Sequence, residues 1–223
     1  MTPAALEEAA LRADARRNLS RILEAAQEVF AENGLSAGVA EVARRAGVGN
    51  ATIFRRFPQK EDLAVAVVER LLRQRIEELR SLPSGLSPVE ALGDFLERMV
   101  DWQVRDRALL ESMPAGLLAD PRLVPLRDEL SGIAAGHLAE AQRRGQVRPG
   151  VTAEDLAVLC QALGQVGSSL ADSDPGAWRR YLAIVVSGLR HTDQPLPGAP
   201  PGWDAICAGK ERHGRGYPCP SGP

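Results

Sequence analysis
The chain of 223 residues is short of cysteine, and what it has stands late, at Cys160, Cys207 and Cys219. Three thiols at these spacings frame neither a disulfide scaffold nor a four-ligand zinc site, and they fit a reducing compartment. Cys207, His213 and Cys219 match no usual zinc set, so no metal is expected. Long apolar runs are missing as well. Nothing approaches the roughly 18–20 residues of a membrane span, and Met1 to Arg17 alternates alanine with charge instead of forming a signal-peptide core. A soluble, cytoplasmic protein with no membrane partner is expected. Strand-like alternation does not appear, which leaves an all-α chain. No base is placed near Cys160, and neither a catalytic constellation nor a cofactor motif emerges, so an enzyme is not expected.

What the chain does have is helical periodicity. Leu19, Ile22, Leu23, Ala26, Val29 and Phe30 recur at spacings of three and four, and Asn33-Gly34 supplies a left-handed stop. Val39, Val42, Ala43 and Ala46 mark a short second helix, capped by Ser36 or Gly38 and ended by Gly47. A third helix, about 50–57, stops at Pro58, which disfavours helical geometry in the residue before it. A fourth starts near Gln59 and runs to about Leu82, with Leu63, Val67, Leu71 and Leu79 on one side. Leu82 to Pro88, "LPSGLSP", is a linker. Further helices are expected near 88–105, 106–118, 121–146, 152–171 and 175–190. From Thr192 onward, seven prolines and six glycines with no apolar period predict a disordered tail.

Charge is uneven along this layout. From Arg12 to Lys60 nine basic residues face five acidic ones, although the whole chain carries -2. A basic block on an acidic body is the footprint of a polyanion-binding end, and equally of a solvated charged face. Two short helices around Gly47 make a helix-turn-helix, whose second helix can enter the major groove. Val42, Ala46, Val48, Ile53 and Phe57 would pack the pair against the first helix. That leaves Asn50, Ala51, Thr52, Phe54, Arg55 and Arg56 turned outward or partly so, where threonine and arginine can meet phosphate and asparagine and arginine can meet purine edges. Lys60 lies in the first turn of the fourth helix, where the helix dipole disfavours a cation without an anion nearby.

The stretch "VARRAGVGNATIFRRFPQKEDL", Val42 to Leu63, resembles the DNA-binding signature of the tetracycline-repressor (TetR) family almost without gaps. The preceding helix agrees in length and in its Ala-Ala, Val-Phe, Asn-Gly ending. More loosely, "RPGVTAEDL" before and into the helix at Thr152, and "VSGLR" at Val186 to Arg190, resemble the family's C-terminal part. The resemblance implies an N-terminal three-helix DNA-binding domain and a C-terminal helical ligand-binding and dimerisation domain. The divisions are a flexible arm over 1–12, the helix-turn-helix domain over 13–60, the helical domain over 61–191 and the tail over 192–223. It also implies phosphate contacts at Thr52 and Lys60, base-facing positions at Asn50, Ala51 and Arg55, and a further contact at Arg44. Gly38 stands where the family often has a capping threonine, and Ser36 is a candidate replacement. Phe54 takes a common tyrosine position, losing its hydroxyl, and Arg56 stands where histidine or tyrosine is usual.

In such regulators the C-terminal helices pair two subunits and enclose a small molecule. Leu156, Leu159, Leu163, Val166 and Leu170, interleaved with Ala157, Ala162, Gly164 and Gly167, suit either a homodimer interface made with 175–190 or an intramolecular core. Met99, Trp102, Met113, Leu117, His137, Gln161 and Gln165 are the large or polar residues able to line an apolar effector pocket. His137 fits a satisfied core histidine equally well. The expected function is an effector-responsive regulator, a repressor released from a palindromic double-stranded DNA operator by a small apolar molecule. The alternative is a helical carrier or enzyme whose N-terminal motif no longer binds DNA.

Overall fold
The computed structural model describes residues 3–81, 85–106, 108–109, 117, 120–190, 194–200 and 202, with the backbone alone for residues 3–7, 9 and 11. Met113, most of the helix expected over 106–118, and Cys207, His213 and Cys219 lie outside the described residues. Among the described residues eight α-helices follow one another: α1 Pro3–Asn33, α2 Val39–Ala46, α3 Asn50–Arg56, α4 Lys60–Arg80, α5 Pro88–Arg105, α6 Val124–Arg143, α7 Ala153–Ser169 and α8 Trp178–Gly188. Among the described residues the sole β pairing is one antiparallel bridge between Val147 and Arg190.

Helix ends fall where the backbone chemistry requires them. Gly34 and Gly47 stand in the left-handed region, at φ 66° and 65°, and end α1 and α2. The N-cap of α2 is Gly38 in an extended conformation with no side-chain cap. Ser36, the alternative cap, turns its hydroxyl to the Asn33 carbonyl at 2.8 Å, because the 3-10 turn Gly34–Ser36 holds it two residues before the cap position. Gln59 and Asp62 form a capping box on α4, Ser87 and Glu90 one on α5, and Thr152 and Asp155 one on α7. α1 begins at Pro3, so the expected N-terminal arm continues directly into the helix.

Two packing regions share α4. In the first, Ile22, Ala26, Val29 and Phe30 of α1 are buried with Val42 and Ala46 of α2, Ile53 of α3 and Leu63 of α4. In the second, α5 packs against α6, α7 and α8, while α4 runs alongside α6. The small residues of α7 serve this second core. A Cβ on Gly167 would come within 2.4 Å of the Val104 side chain and 3.0 Å of Trp178, and one on Gly164 within 2.5 Å of Gln103 Oε1. Gly164, Gly167, Leu156 and Leu163 are therefore buried within the chain, the intramolecular use of that stripe. The opposite face of α7 leaves Val158 and Ala162 exposed, and α8 exposes Tyr181 and Ile184. Leu196, expected to belong to a tail with nothing to pack against, comes within 3.7 Å of where a Gly150 Cβ would stand and lines a cavity with Val151, Leu159 and Leu189, while staying partly exposed.

Candidate nucleic-acid interface
The helix-turn-helix is built from a turn that closes on itself. Gly47 donates to the Ala43 and Arg44 carbonyls, Val48 N–H donates to Ala43 O at 3.0 Å, and Arg21 of α1 reaches the Gly47 carbonyl at 3.2 Å. These bonds aim α3. Ile53 and Phe57 anchor one side of it, being 1% and 8% exposed. The other side presents Asn50, Ala51, Phe54, Arg55 and Arg56 to solvent, with Thr52 half-buried between the faces. Phe54 is 48% exposed, a large apolar side chain without cover on a helix of seven residues.

The arginines divide by what surrounds them. Arg44 makes two bonds to Glu41, at 2.9 and 2.6 Å. Arg45, three-quarters buried, binds both oxygens of Glu32 at 2.7 Å and lies 3.6 Å from Glu28 and from Glu41. The hydrogen bonds with Glu32 raise the Arg45 pKa above its usual range, and they hold Glu32 below the carboxylate range. Arg55 and Arg56 are exposed and have no ion-pair partner among the described residues. The positive end of the domain is thus concentrated on the last turn of α3, where the helix dipole favours cations.

Lys60 has a partner that sequence reasoning missed. Its Nζ donates to the Leu35 carbonyl at 2.5 Å, tying the turn after α1 to the start of α4. An ammonium has three donors, so this bond and a phosphate contact are compatible. A cleft of about 910 Å³ separates the N-terminal half of α1 from α3, with Asn18, Thr52, Arg55, Arg56, Asp62 and Arg122 among its lining. Arg122, in the segment before α6, bonds Asp120 at 2.7 and 2.8 Å and Asp62 at 3.1 Å. The hydrogen bonds to Arg122 pull the Asp120 carboxyl down to about 2.

Of the residues expected to line an effector pocket, Trp102 and Leu117 are buried, and Met99, His137 and Gln161 are half-buried. The His137 ring packs 5.8 Å from that of Phe95, and burial lowers its pKa against the opposing pull of Asp94. Gln165 was also expected to line that pocket. It lies on the exposed face of α7, because the turn that buries Gly164 and Gly167 against α5 rotates Gln165 outward. Arg75, Gln103 and Arg127 are largely buried polar residues that the sequence reading did not select, although each is a polar residue within a helix of the second core. Burial lowers the Arg127 pKa. Cys160 is buried, and burial pushes its thiol up to about 12, so it is no thiolate nucleophile at neutral pH.

Residues 22–67 match the family described as bacterial regulatory proteins, tetR family, and residues 87–191 match the C-terminal domain of SbtR-like transcriptional regulators. The crystal structure of the TetR transcription regulatory protein from Mycobacterium vanbaalenii is 34% identical, over 81% of this chain and 99% of that one, with a TM-score of 0.57. The chain belongs to the TetR family. The TetR transcriptional regulator SCO0520 from Streptomyces coelicolor is 27% identical, over 78% of this chain and 98% of that one, with a TM-score of 0.59. A curated relative, the HTH-type transcriptional regulator SAUSA300_2515 of Staphylococcus aureus strain USA300, is 30% identical over 108 residues, 48% of this chain and 58% of its own length. The TetR match at 22–67 contains the helix-turn-helix and the start of α4, so the cation-rich surface of α3 lies within the segment the family shares. Among the described residues no helix is long and apolar enough to cross a membrane.

Proposed function
We propose that this TetR-family chain is a homodimeric DNA-binding repressor, released from a palindromic operator by a small apolar effector. The observation that carries the DNA-binding part is the surface of α3. Arg55 and Arg56 are exposed without internal carboxylates, beside exposed Asn50 and Ala51, on a helix whose other side is held by Ile53 and Phe57. In the docked geometry Arg55 and Asn50 face base edges, and Thr52, Arg56 and Lys60 face phosphates. Ala51 is small enough for the helix to sit deep, and Phe54 offers an apolar contact to a thymine methyl group. Arg44, held by Glu41, contributes at the edge.

Dimerisation is supported by the outer faces of α7 and α8, where Val158, Tyr181 and Ile184 are exposed at 40%, 44% and 58%. Two subunits joined there would form a four-helix interface and present two copies of α3 to successive major grooves, about 34–36 Å apart. The effector part is supported by Met99, Trp102, Leu117, His137 and Gln161, carried on or beside helices that share one interior. The test is a gel shift with the DNA flanking the chain's own gene, combined with light scattering for the mass of the complex. One dimer on one inverted repeat is expected. A monomer, or equal retention of unrelated DNA, would overturn the proposal.

A further inference from the structure
Where α4 faces the end of α5, two hydrogen-bond donors are buried without an acceptor. Arg75 of α4 sends Nη1 to Glu78 at 2.8 Å and Nη2 to Asp106 at 3.1 Å. Its guanidinium carbon lies 5.8 Å from the centre of the Trp102 ring. Trp102 and Asp106 are four residues apart and share one side of α5 at its C-terminal end. Two atoms remain. Arg75 Nε and Trp102 Nε1 are buried, and neither meets an acceptor among the described residues. Trp102 is 5% exposed and the Arg75 side chain 16%. Leaving such donors unsatisfied is costly, and an interior seldom keeps two on a pair of side chains in one contact without use for them.

We propose that these two N–H groups receive the effector, and that it is an uncharged molecule with a carbonyl-type oxygen, such as a ketone, ester, lactone or amide. This rests on the regulator reading above and specifies its ligand. Charge selects the class. The single positive charge of Arg75 is already met by Asp106, whose side chain is 13% exposed, and by Glu78, so an incoming anion would face surplus negative charge. A neutral oxygen accepts from Nε and Nε1 without that repulsion, and the indole face packs the apolar remainder. Arg75 belongs to the helix that begins at Lys60, so an effector bound here pulls directly on the element that carries α3.

The test uses the full chain and two probes, the ketone 6-propionyl-2-dimethylaminonaphthalene and 2-dimethylaminonaphthalene, which lacks the carbonyl. Both report binding through their own emission. The wild-type protein is expected to bind the ketone about tenfold more tightly than its carbonyl-free analogue, the worth of a satisfied buried donor. Trp102→Phe keeps an aromatic ring but removes N–H, and is expected to erase most of that advantage while leaving the analogue's affinity within about twofold. Equal affinities of the wild type for both probes overturn the proposal whether or not the variant folds. So does a variant that weakens both probes alike, which is the mark of a packing role. The regulator reading is judged separately, by wild-type binding to flanking DNA without probe. Intact DNA binding without carbonyl preference removes this site alone, and carbonyl preference without DNA binding removes the regulator reading.

Discussion

Arg44, Arg45, Arg55 and Arg56 lie within thirteen residues of one another, yet they carry different burdens. The partner of Arg45 is Glu32 on the preceding helix, which no local spacing reveals, whereas Arg44 meets Glu41 three residues away on its own helix. Exposure of Arg55 and Arg56 was legible from Ile53 and Phe57, since fixing those two inward leaves the rest of a short helix outward. The Lys60 bond to Leu35 was not legible, because a backbone carbonyl has no sequence signature. Lys60→Ala is therefore expected to lower the melting temperature as well as weaken operator and random DNA alike, with a salt slope reduced by about 0.9. A lower melting temperature with an unchanged slope would make its role structural only. His137 gives a pH prediction. Its folded pKa is lowered by burial, so the unfolded chain binds its proton first, and the associated stability is full above the ordinary value of 6.5 and lost as pH falls through the folded value. Melting temperature is expected to drop across that range, and His137→Gln to flatten the drop. An unchanged profile in the variant would place the titration elsewhere.

At the scale of elements, the helix stops within the described residues were readable because glycine, proline and capping residues act locally. Gly34, Gly47, Pro58 and the Ser87, Thr152 and Gln59 caps stand where the chain turns. Which side of a helix meets which neighbour is a tertiary matter that local spacing does not set. The Gly164 and Gly167 stripe faces α5, so Gly167→Ala pushes a methyl toward Val104 and Trp178 and is expected to destabilise by about 1–3 kcal/mol in chemical denaturation. A neutral effect would show that α5 and α8 yield easily. Arg122 is the second element-scale device. Asp62 accepts from Gln59 N–H at 3.2 Å through one oxygen and from Arg122 through the other, so the cap of α4 is held by the segment leading into α6. Arg122 is exposed and Asp62 only half-buried, so Arg122→Ala should change global stability by less than about 1 kcal/mol. Amide exchange in the first turn of α4 should quicken while that of α7 stays the same. Unaltered exchange at α4 would show that the link holds nothing in place.

For the whole molecule, α4 is the shared member: it caps against Arg122 at one end, carries Arg75 further along, and is separated from α3 by only three residues. A helix of 21 residues is about 31 Å long, so an effector bound at Arg75, as proposed, would by a small tilt displace α3 by a few ångströms. Two rigidly paired subunits tolerate little of that, since both copies of α3 must meet one face of the duplex. Coupling between effector and DNA of about 1–3 kcal/mol is expected, equal in both directions. The central claim underneath this is that α3 reads DNA through the arginines left without internal partners. Fluorescence anisotropy on a labelled operator, taken across a salt series for wild type and for the Arg55→Ala/Arg56→Ala double variant, measures it directly. The account predicts that the double variant stays folded, that its preference for operator over random DNA shrinks by about 1–3 kcal/mol, and that its salt slope falls by about 1–2 units per subunit. A folded double variant with wild-type affinity, preference and slope would contradict it.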